Sequence, residues 1–500
     1  MDLSFLNIRR KFFSAWRSSD KTGQQVARGS FLIFTERFFI KILYFARTVI
    51  LARLLFPNDF GLFGMATLAM NILGAFTNPS FSSAIVQKKD VSKEELDSAW
   101  TIYFIRGLVL AAVLYLSAPL AGIFFHNSAV VPFVKILALM YLIMGFESFG
   151  ATLLQKEMRF NRVFIYDMSG VIVEVVVTII AAFILRNAWA LLLGAVANRI
   201  VSTVMSYAIH SSRPRLNFNL GNVKRLFEFG KWLSVGGILS FFVSQGDNLM
   251  VGKLLDATAL GFYQLAFALG TLPAVEIARS LGNILFPLYS KIQKDRQLLS
   301  AFFIKISRLV FALIIPASFG LAVLAKETVG FVYGSRWLPM VPILYIVLAL
   351  ALLKVIDYLI NPLFVGIGRP KTTTLVSVFQ AIVMFSLIVP LTHKYGMVGT
   401  GLAVLISLLF AEIIFLLKLR KEINLNFWVL AKITALPAAG SLVMVAMLQL
   451  FKKIIFPDTI VIFISYIAAG IIIYFGALFV LDMVFGRRFY ESIIWIKKNI

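Results

Sequence analysis

Cysteine is missing from the 500-residue sequence, and histidine occurs only three times. Without cysteine there is no disulfide, no thiolate nucleophile and no cysteine-bound iron–sulfur cluster. His126, His210 and His393 are far apart in the chain, which argues against a histidine metal site. The sequence also lacks the G-x-x-x-x-G-K-[ST] loop that cradles nucleotide phosphates. We therefore expect no metal, no cofactor and no enzymatic activity.

Charged residues are few as well, and the chain is very apolar. They make up 14% of it, against about 25% in a typical soluble protein, while hydrophobic residues make up 60%. The mean hydropathy is +0.89, and apolar runs long enough to cross a bilayer recur along the whole chain. This composition excludes a soluble enzyme and predicts an all-α polytopic membrane protein.

Hydropathy divides the chain into regularly spaced spans. A window of about twenty residues predicts about fourteen of them. They lie near residues 31–55, 60–84, 99–125, 130–153, 164–185, 188–210, 232–254, 259–288, 301–325, 338–366, 372–392, 396–419, 428–450 and 459–484. The loops on the outer side are short, which leaves no room there for a separate catalytic domain.

Acidic residues are half as frequent as basic ones, 24 against 48, which gives a net charge of +24. The excess lies mainly in alternate loops between the predicted spans. These loops carry Lys88, Lys89 and Lys93; Lys156, Arg159 and Arg162; Arg213, Arg215, Lys224 and Arg225; Lys291, Lys294 and Arg296; Arg369 and Lys371; Lys418, Arg420 and Lys421; and Arg487, Arg488, Lys497 and Lys498. By the positive-inside rule, both termini are then cytoplasmic. Topology explains the positive charge, and no nucleic-acid partner is expected.

A short motif occurs once in each half of the chain. Arg53-Leu54-Leu55 is followed by Phe60-Gly61-Leu62, and Lys253-Leu254-Leu255 is followed by Leu260-Gly261-Phe262. Such a repeat predicts two pseudo-symmetric lobes of six helices each, as in carriers built from internal repeats. The predicted divisions are an N-lobe at 29–210, a cytoplasmic linker at 211–231, a C-lobe at 232–420, and an appended helix pair with a cytoplasmic tail at 421–500.

The first 28 residues contain no cleavable signal peptide, because no apolar core with a small-residue cleavage site follows the basic residues. Phe5, Ile8, Phe12 and Trp16 recur at helical spacing among basic side chains. This pattern predicts a cytoplasmic amphipathic helix at 1–28 that lies on the anionic membrane surface and contacts its lipids. A disordered basic tail is the alternative.

Several spans carry charged residues, which an idle membrane helix would avoid. A charge at the bilayer centre costs about 2.5–3.5 kcal/mol on insertion scales and marks a functional site by default. Guanidinium and ammonium groups match phosphate in geometry and charge, so we predict an anionic, phosphate-bearing substrate. The cations expected to line its cavity are Arg37, Lys41, Arg47, Arg106 and Arg199. Polar residues with a candidate role in ion coupling or in the cavity are Glu36, Glu174, Asp247 and Gln264.

Other charges within the predicted spans have a simpler explanation. Glu276 with Arg279, and Lys354 with Asp357, are spaced at i,i+3 and would neutralise each other on one helix face. Glu412 is a further charge within the predicted second lobe.

Five motifs together resemble those of the Wzx-type polysaccharide flippases of the multidrug/oligosaccharidyl-lipid/polysaccharide (MOP) exporter superfamily. They are Leu51-Ala52-Arg53-Leu54-Leu55 with Phe60-Gly61-Leu62; Leu153-Leu154-Gln155-Lys156-Glu157-Met158-Arg159-Phe160-Asn161-Arg162; Phe229-Gly230-Lys231-Trp232-Leu233; Leu260-Gly261-Phe262-Tyr263; and Leu285-Phe286-Pro287-Leu288-Tyr289-Ser290-Lys291-Ile292. The resemblance implies a two-lobed plasma-membrane bundle of the MOP type, which works by alternating access. Its implied substrate is an oligosaccharide unit on undecaprenyl pyrophosphate. Polysaccharide polymerase or export machinery are candidate partners.

Four alternatives remain open from the sequence. A drug or cation antiporter of the same superfamily would share the fold but would favour a cavity rich in carboxylates. A lipid II flippase would also carry an anionic lipid-linked substrate. A membrane glycosyltransferase or polymerase would need a larger outer loop or catalytic carboxylates near the surface. A non-transporting scaffold of an export complex would not need charges within its spans.

Overall fold

The computed structural model describes residues 21–77, 81–219, 221, 224–455 and 457–484, and every regular element in these ranges is a helix. The predicted amphipathic residues Phe5, Ile8, Phe12 and Trp16 lie outside this part of the chain. The cytoplasmic tail from residue 485 onward lies outside it too.

Most helices of the first half follow the predicted spans closely, because they are apolar runs long enough to satisfy their own backbone within a membrane. They are α1 Lys21–Leu54, α2 Pro57–Thr77, α3 Phe81–Gln87, α4 Lys93–Phe124, α5 Val130–Gly145, α6 Gly150–Lys156, α7 Phe160–Leu185 and α8 Trp189–Ala208.

The second half contains the longer helices of the chain. They are α9 Lys224–Leu254, α10 Ala257–Ile292, α11 Arg296–Val323, α12 Ala325–Val332, α13 Val341–Gly366, α14 Pro370–Ile423, α15 Phe427–Ile454 and α16 Ile460–Val484. A 3₁₀ helix, Ser335–Met340, leads into α13.

Two compact units make up the chain. Unit 1 comprises Met1–Gln245 with Asp256–Gly261, and unit 2 comprises Gly246–Leu255 with Phe262–Ile500. The division passes through α9 and α10 rather than through the predicted linker at 211–231. The predicted lobe limits therefore stay a prediction.

Length and composition identify nine helices able to cross a membrane among the described residues, or ten if α5 and α6 form one span. The multi-pass architecture predicted from the sequence is confirmed at this level. The number of fourteen crossings stays a prediction.

Two predicted spans are each divided into two helices in the structure, and two others meet within one broken helix. Residues 60–84 form α2 and α3, and residues 130–153 form α5 and α6, which are bent by 56° to each other. Glu147 and Ser148 interrupt the apolar run at this bend. Residues 372–392 and 396–419 both belong to α14, which is broken at Gly396 where φ is 59°. Glycine adopts a positive φ at no steric cost, so it permits this sharp change of direction.

The repeated motif marks a close backbone contact within unit 1. A Cβ added at Gly61 would lie 1.6 Å from the carbonyl oxygen of Ala257, and one added at Gly261 would lie 2.0 Å from that of Pro57. The starts of α2 and α10 therefore approach each other through their two glycines in a reciprocal contact. Only glycine allows backbones to come this close.

The first part of the predicted linker is fastened to the start of α4, also within unit 1. Arg215 N donates to Asp97 Oδ1 at 3.0 Å, and Asn217 N donates to Thr101 Oγ1 at 2.8 Å. These contacts give an extended segment the backbone partners that it lacks internally.

The largest apolar core described in unit 2 lies among α11, α13 and α14. It includes Phe303, Ile314, Leu359, Phe364 and Phe415, all with less than a tenth of their surface exposed. The rings of Phe364 and Phe415 are 5.9 Å apart. This core fixes α13 against α14.

Candidate functional site: an arginine-lined cavity

A cavity of about 540 Å³ lies within unit 1, between α2, α4, α5, α8 and the part of α9 that belongs to this unit. The helices around it are apolar, but the cavity wall is not. Its larger polar side chains are Asn71, Tyr103, Arg106, Tyr141, Arg199 and Gln245. Two of the five cations predicted to bind substrate, Arg106 and Arg199, therefore line one cavity.

Arg106 on α4 is oriented by the end of α2. Its Nε donates to the carbonyl oxygen of Thr77 at 2.8 Å, and Nη2 donates to Thr77 Oγ1 at 3.2 Å. Thr77 is the last residue of α2, so the guanidinium satisfies a carbonyl that has no partner within its own helix. The guanidinium also lies 5.5 Å from the ring centre of Tyr103. These contacts use two of its five N–H donors.

Arg199 on α8 is held by Glu147, which lies at the bend between α5 and α6. Its Nη1 donates to Glu147 Oε2 at 3.3 Å, and the hydroxyl of Tyr166 donates to the other carboxylate oxygen. The Nε of Arg199 is buried and has no hydrogen-bond partner. Arg199 thus keeps a spare donor in a partly desolvated position.

Tyr141 positions the remaining wall of the cavity. Its hydroxyl donates to the carbonyl oxygen of Met70 at 2.6 Å, which joins α5 to α2. A Cβ added at Gly74 would lie 2.8 Å from the same hydroxyl. Gly74 therefore leaves the space that the tyrosine fills.

Arg47, the third predicted cation, lies outside the lining of this cavity. It forms an ion pair with Glu174 on α7. Tyr44 and Asn198 also donate to Glu174, each at 2.8 Å. Because one carboxylate on α7 accepts from two side chains of α1 and one of α8, this network ties α1, α7 and α8 together.

Arg37 and Lys41 are exposed on α1. Glu36 is 7% exposed, and its carboxyl faces that of Asp167 on α7. The structure thus brings Arg106 and Arg199 together, but it does not gather all five predicted cations around one cavity. Their joint assignment to substrate binding stays a prediction.

The two polar candidates of unit 2 have different surroundings. Asp247 is 5% exposed and accepts from Tyr263 Oη at 3.0 Å and from Asn248 N at 2.8 Å. Gln264 is half-buried on α10. Glu276 and Arg279, the predicted neutralising pair, have side chains outside the described part of the structure.

Glu147 is the residue that sequence reasoning missed. An acid within the apolar run 138–154 was the available signal, since such a charge needs a partner. Its partner, Arg199, is 52 residues away in the chain. Neither side chain identifies the other by spacing.

The cavity therefore has a definite chemical character. Two guanidinium groups attract an anion, and their fork geometry suits phosphate oxygens. The amides of Asn71 and Gln245 offer both donors and acceptors. No residue lining the cavity in the described part of unit 1 is acidic. The described residues include no group of three or more His, Cys, Asp or Glu that could hold a metal ion.

A family profile described as "Polysaccharide biosynthesis protein" matches residues 50–342, more than half of the chain. The chain belongs to this family. It is 26% identical over 359 residues to the lipopolysaccharide biosynthesis protein WzxC of Escherichia coli K12, covering 71% of this chain and 73% of that protein. It is 24% identical over 303 residues to the succinoglycan biosynthesis transport protein ExoT of Rhizobium meliloti, covering 60% of this chain and 61% of that protein.

Among solved structures, the lipid II flippase MurJ in an inward closed conformation has a similar fold. The TM-score is 0.74 at 18% identity, and the match covers 91% of this chain and 99% of MurJ. An inward-facing multidrug transporter of the MATE family in the MOP superfamily matches with a TM-score of 0.58 at 17% identity, covering 77% of this chain and 94% of that one. At such identities these likenesses concern the fold alone. The chain thus shares its fold with MurJ and with this MATE transporter.

Proposed function

We propose that this polysaccharide biosynthesis protein is a flippase for oligosaccharide repeat units linked to undecaprenyl pyrophosphate. It would move them from the inner to the outer leaflet of the plasma membrane by alternating access. The observation that carries this proposal is the cavity wall formed by Arg106 and Arg199. The family membership supports the same reading.

The cavity matches the two chemical parts of such a substrate. The guanidinium groups would bind the pyrophosphate through charge-assisted hydrogen bonds. The amides and the tyrosine rings would contact the sugars, whose hydroxyls both donate and accept. The polyprenyl chain would stay in the bilayer. A cationic drug, in contrast, would meet two like charges.

Orientation and lobe layout are part of the same proposal. Basic residues in alternate loops favour cytoplasmic termini, and the motif repeat favours two lobes joined by the linker at 211–231. The flipped units would then reach polysaccharide polymerase or export machinery at the outer face.

The natural lack of cysteine allows the orientation to be tested directly. Ser128→Cys and Ser212→Cys each introduce a single thiol. Ser128 lies between α4 and α5, and Ser212 lies in the segment after α8. A membrane-impermeant maleimide applied to intact cells should label the cysteine at 128 and leave that at 212 until the membrane is opened. The reverse pattern would invert the proposed topology.

Export of surface polysaccharide in a strain that lacks its own flippase tests the function. Wild-type protein should restore the polymer and remove the accumulated lipid-linked units. Binding of undecaprenyl pyrophosphate to the purified protein should weaken about ten- to hundredfold for Arg106→Ala or Arg199→Ala, because each removes a charge-assisted contact of about 1.5–3 kcal/mol.

Arg186→Ala is the matched control, since Arg186 is an exposed arginine of unit 1 at the end of α7, away from the cavity. It should bind as wild type does. Full export and full binding by the Arg106→Ala/Arg199→Ala double variant would refute the cavity as the substrate site.

A further inference from the structure

Glu412 is a deeply buried carboxyl that the proposed binding cavity does not use. It lies on α14 in unit 2 and is 3% exposed. Both carboxyl oxygens are buried and have no hydrogen-bond partner. Its helix neighbours Ala411 and Phe415 belong to the apolar core that α14 shares with α13.

The nearest charged groups lie on α13 and do not neutralise it. Asp357 is the charge that acts on Glu412, and it has the same sign. Asp357 interacts with Lys354 and with the side-chain amide of Asn361. The i,i+3 neutralisation of Lys354 and Asp357 stays a prediction, and among the described residues Glu412 has no ion pair.

Among the side chains that the structure describes, groups on the other neighbouring helices do not change this balance. The same Lys354 also acts on Asp247 of α9, so one ammonium already serves two carboxylates. On α11, which also packs on α14, Lys305 and Arg308 take part in interactions of their own. None of the ion pairs found among the described residues includes Glu412.

An ionised carboxylate at such a position would be very unfavourable. Removing it from water costs several kcal/mol even after relaxation, and here neither a cation nor a donor compensates. A buried acid in this situation neutralises by taking up a proton. A metal ion is a poorer fit, because hard cations need several oxygen ligands and no suitable group of acids occurs in the described residues.

We propose that Glu412 is a proton-binding site of unit 2 that takes part in the transport cycle. In the structure seen here its carboxyl carries the proton. In a second state that admits water, the O–H bond breaks, the proton passes to water as hydronium, and the carboxylate remains. No other reactant is required. The coupling part of this proposal rests on the proposed flippase function, whereas the protonation of Glu412 does not.

The protonation state can be measured without any substrate. Infrared difference spectra of the purified full-length protein in lipid should show a carboxylic-acid C=O band that Glu412→Gln removes. Glu422→Gln is the matched control, since Glu422 lies on the same helix but is ion-paired with Arg369, and it should leave the band intact. An unchanged band in Glu412→Gln means an ionised Glu412 and overturns the proposal.

A second measurement needs no variant. Dicyclohexylcarbodiimide, an apolar reagent for protonated carboxyls, should modify Glu412 in the wild-type protein, and mass spectrometry of its peptides would locate the adduct. Modification that falls as external pH rises supports the assignment. Absence of an adduct at Glu412 at acidic pH contradicts it.

Coupling is tested in vesicles with an imposed pH difference. Wild-type protein should flip lipid-linked oligosaccharide faster when the difference is present, and Glu412→Gln should lose this acceleration while still binding undecaprenyl pyrophosphate. Acceleration that is retained in Glu412→Gln refutes the coupling role. Equal acceleration of the wild-type protein by a sodium gradient without a pH difference refutes it too. If wild-type protein flips nothing, the flippase proposal fails, and the infrared result still decides the proton site.

Discussion

Glu147 and Glu174 of unit 1 differ from Glu412 of unit 2 in how their buried carboxyl groups are compensated. In unit 1 the carboxylates Glu147 and Glu174 each accept from an arginine and a tyrosine. The paired arginines, Arg47 and Arg199, still keep an Nε–H without a partner. In unit 2, Glu412 keeps two acceptors without a partner.

This difference separates two kinds of buried charge. A paired arginine with a spare donor is fixed in place and can still bind an anion. An unpaired carboxyl is accommodated only in its neutral form and can therefore exchange a proton. On the two proposals above, the units would offer complementary chemistry, an anion site in unit 1 and a proton site in unit 2.

The largest effect on folding should come from breaking a pair in unit 1. Glu174→Ala removes the shared acceptor of Arg47, Tyr44 and Asn198 and leaves the Arg47 charge partly buried. Removing one partner of a buried pair costs about 3–5 kcal/mol, so thermal unfolding of the purified protein should shift strongly downward.

Glu157→Ala is the control for that change. Glu157 is 40% exposed and contacts Arg159 and His210 at the surface of the same unit. Exposed ion pairs contribute about 0–1 kcal/mol, so the unfolding midpoint should barely move. Equal losses for Glu174→Ala and Glu157→Ala would remove the special role of the buried network.

An intermediate loss of stability is expected from changes at the close contact between Gly61 on α2 and Gly261 on α10. Gly61→Ala and Gly261→Ala each place a Cβ against backbone atoms and should destabilise the fold by about 1–3 kcal/mol through overpacking. The two losses should be similar, since the contact is reciprocal. Gly476→Ala, where nothing lies within 4 Å of the added Cβ, should be tolerated. If thermal unfolding shows no loss of stability for any of the three variants, the close contact is contradicted.

The smallest effect should come from Glu412, although it is more deeply buried than Glu174. Glu412→Met removes no hydrogen bond and replaces a buried acid by an apolar side chain of similar length. Such replacements are often neutral or stabilising, so the free energy of unfolding should change by less than about 1 kcal/mol. A loss as large as that of Glu174→Ala would mean that Glu412 has a partner in the folded protein.

Much of the helical layout could be predicted from the sequence, because a bilayer requires long apolar helices and these leave a clear hydropathy signal. The bend at Glu147 could not, because the predicted span 130–153 runs through it and hydropathy averages over the bend. The break at Gly396 falls where the predicted spans 372–392 and 396–419 meet. Such bends depend on what the neighbouring helices supply to the freed backbone.

For the candidate site, the sequence indicated which charged residues are unfavourable within the membrane but not which partner compensates each of them. Arg106, Arg199 and Arg47 looked alike, as basic residues within apolar spans. Only packing distinguishes them, since Thr77 orients Arg106, Glu147 holds Arg199, and a carboxylate 127 residues away neutralises Arg47.

The sequence by itself determined that this protein is a helical membrane protein, because composition and hydropathy act locally along the chain. It also determined that charged side chains inside the apolar helices need partners within the protein. The tertiary structure decided which charges meet each other, since ion pairs form between helices distant in sequence. It decided as well that Arg106 and Arg199 line one cavity and that Glu412, among the described residues, has no ion-pair partner.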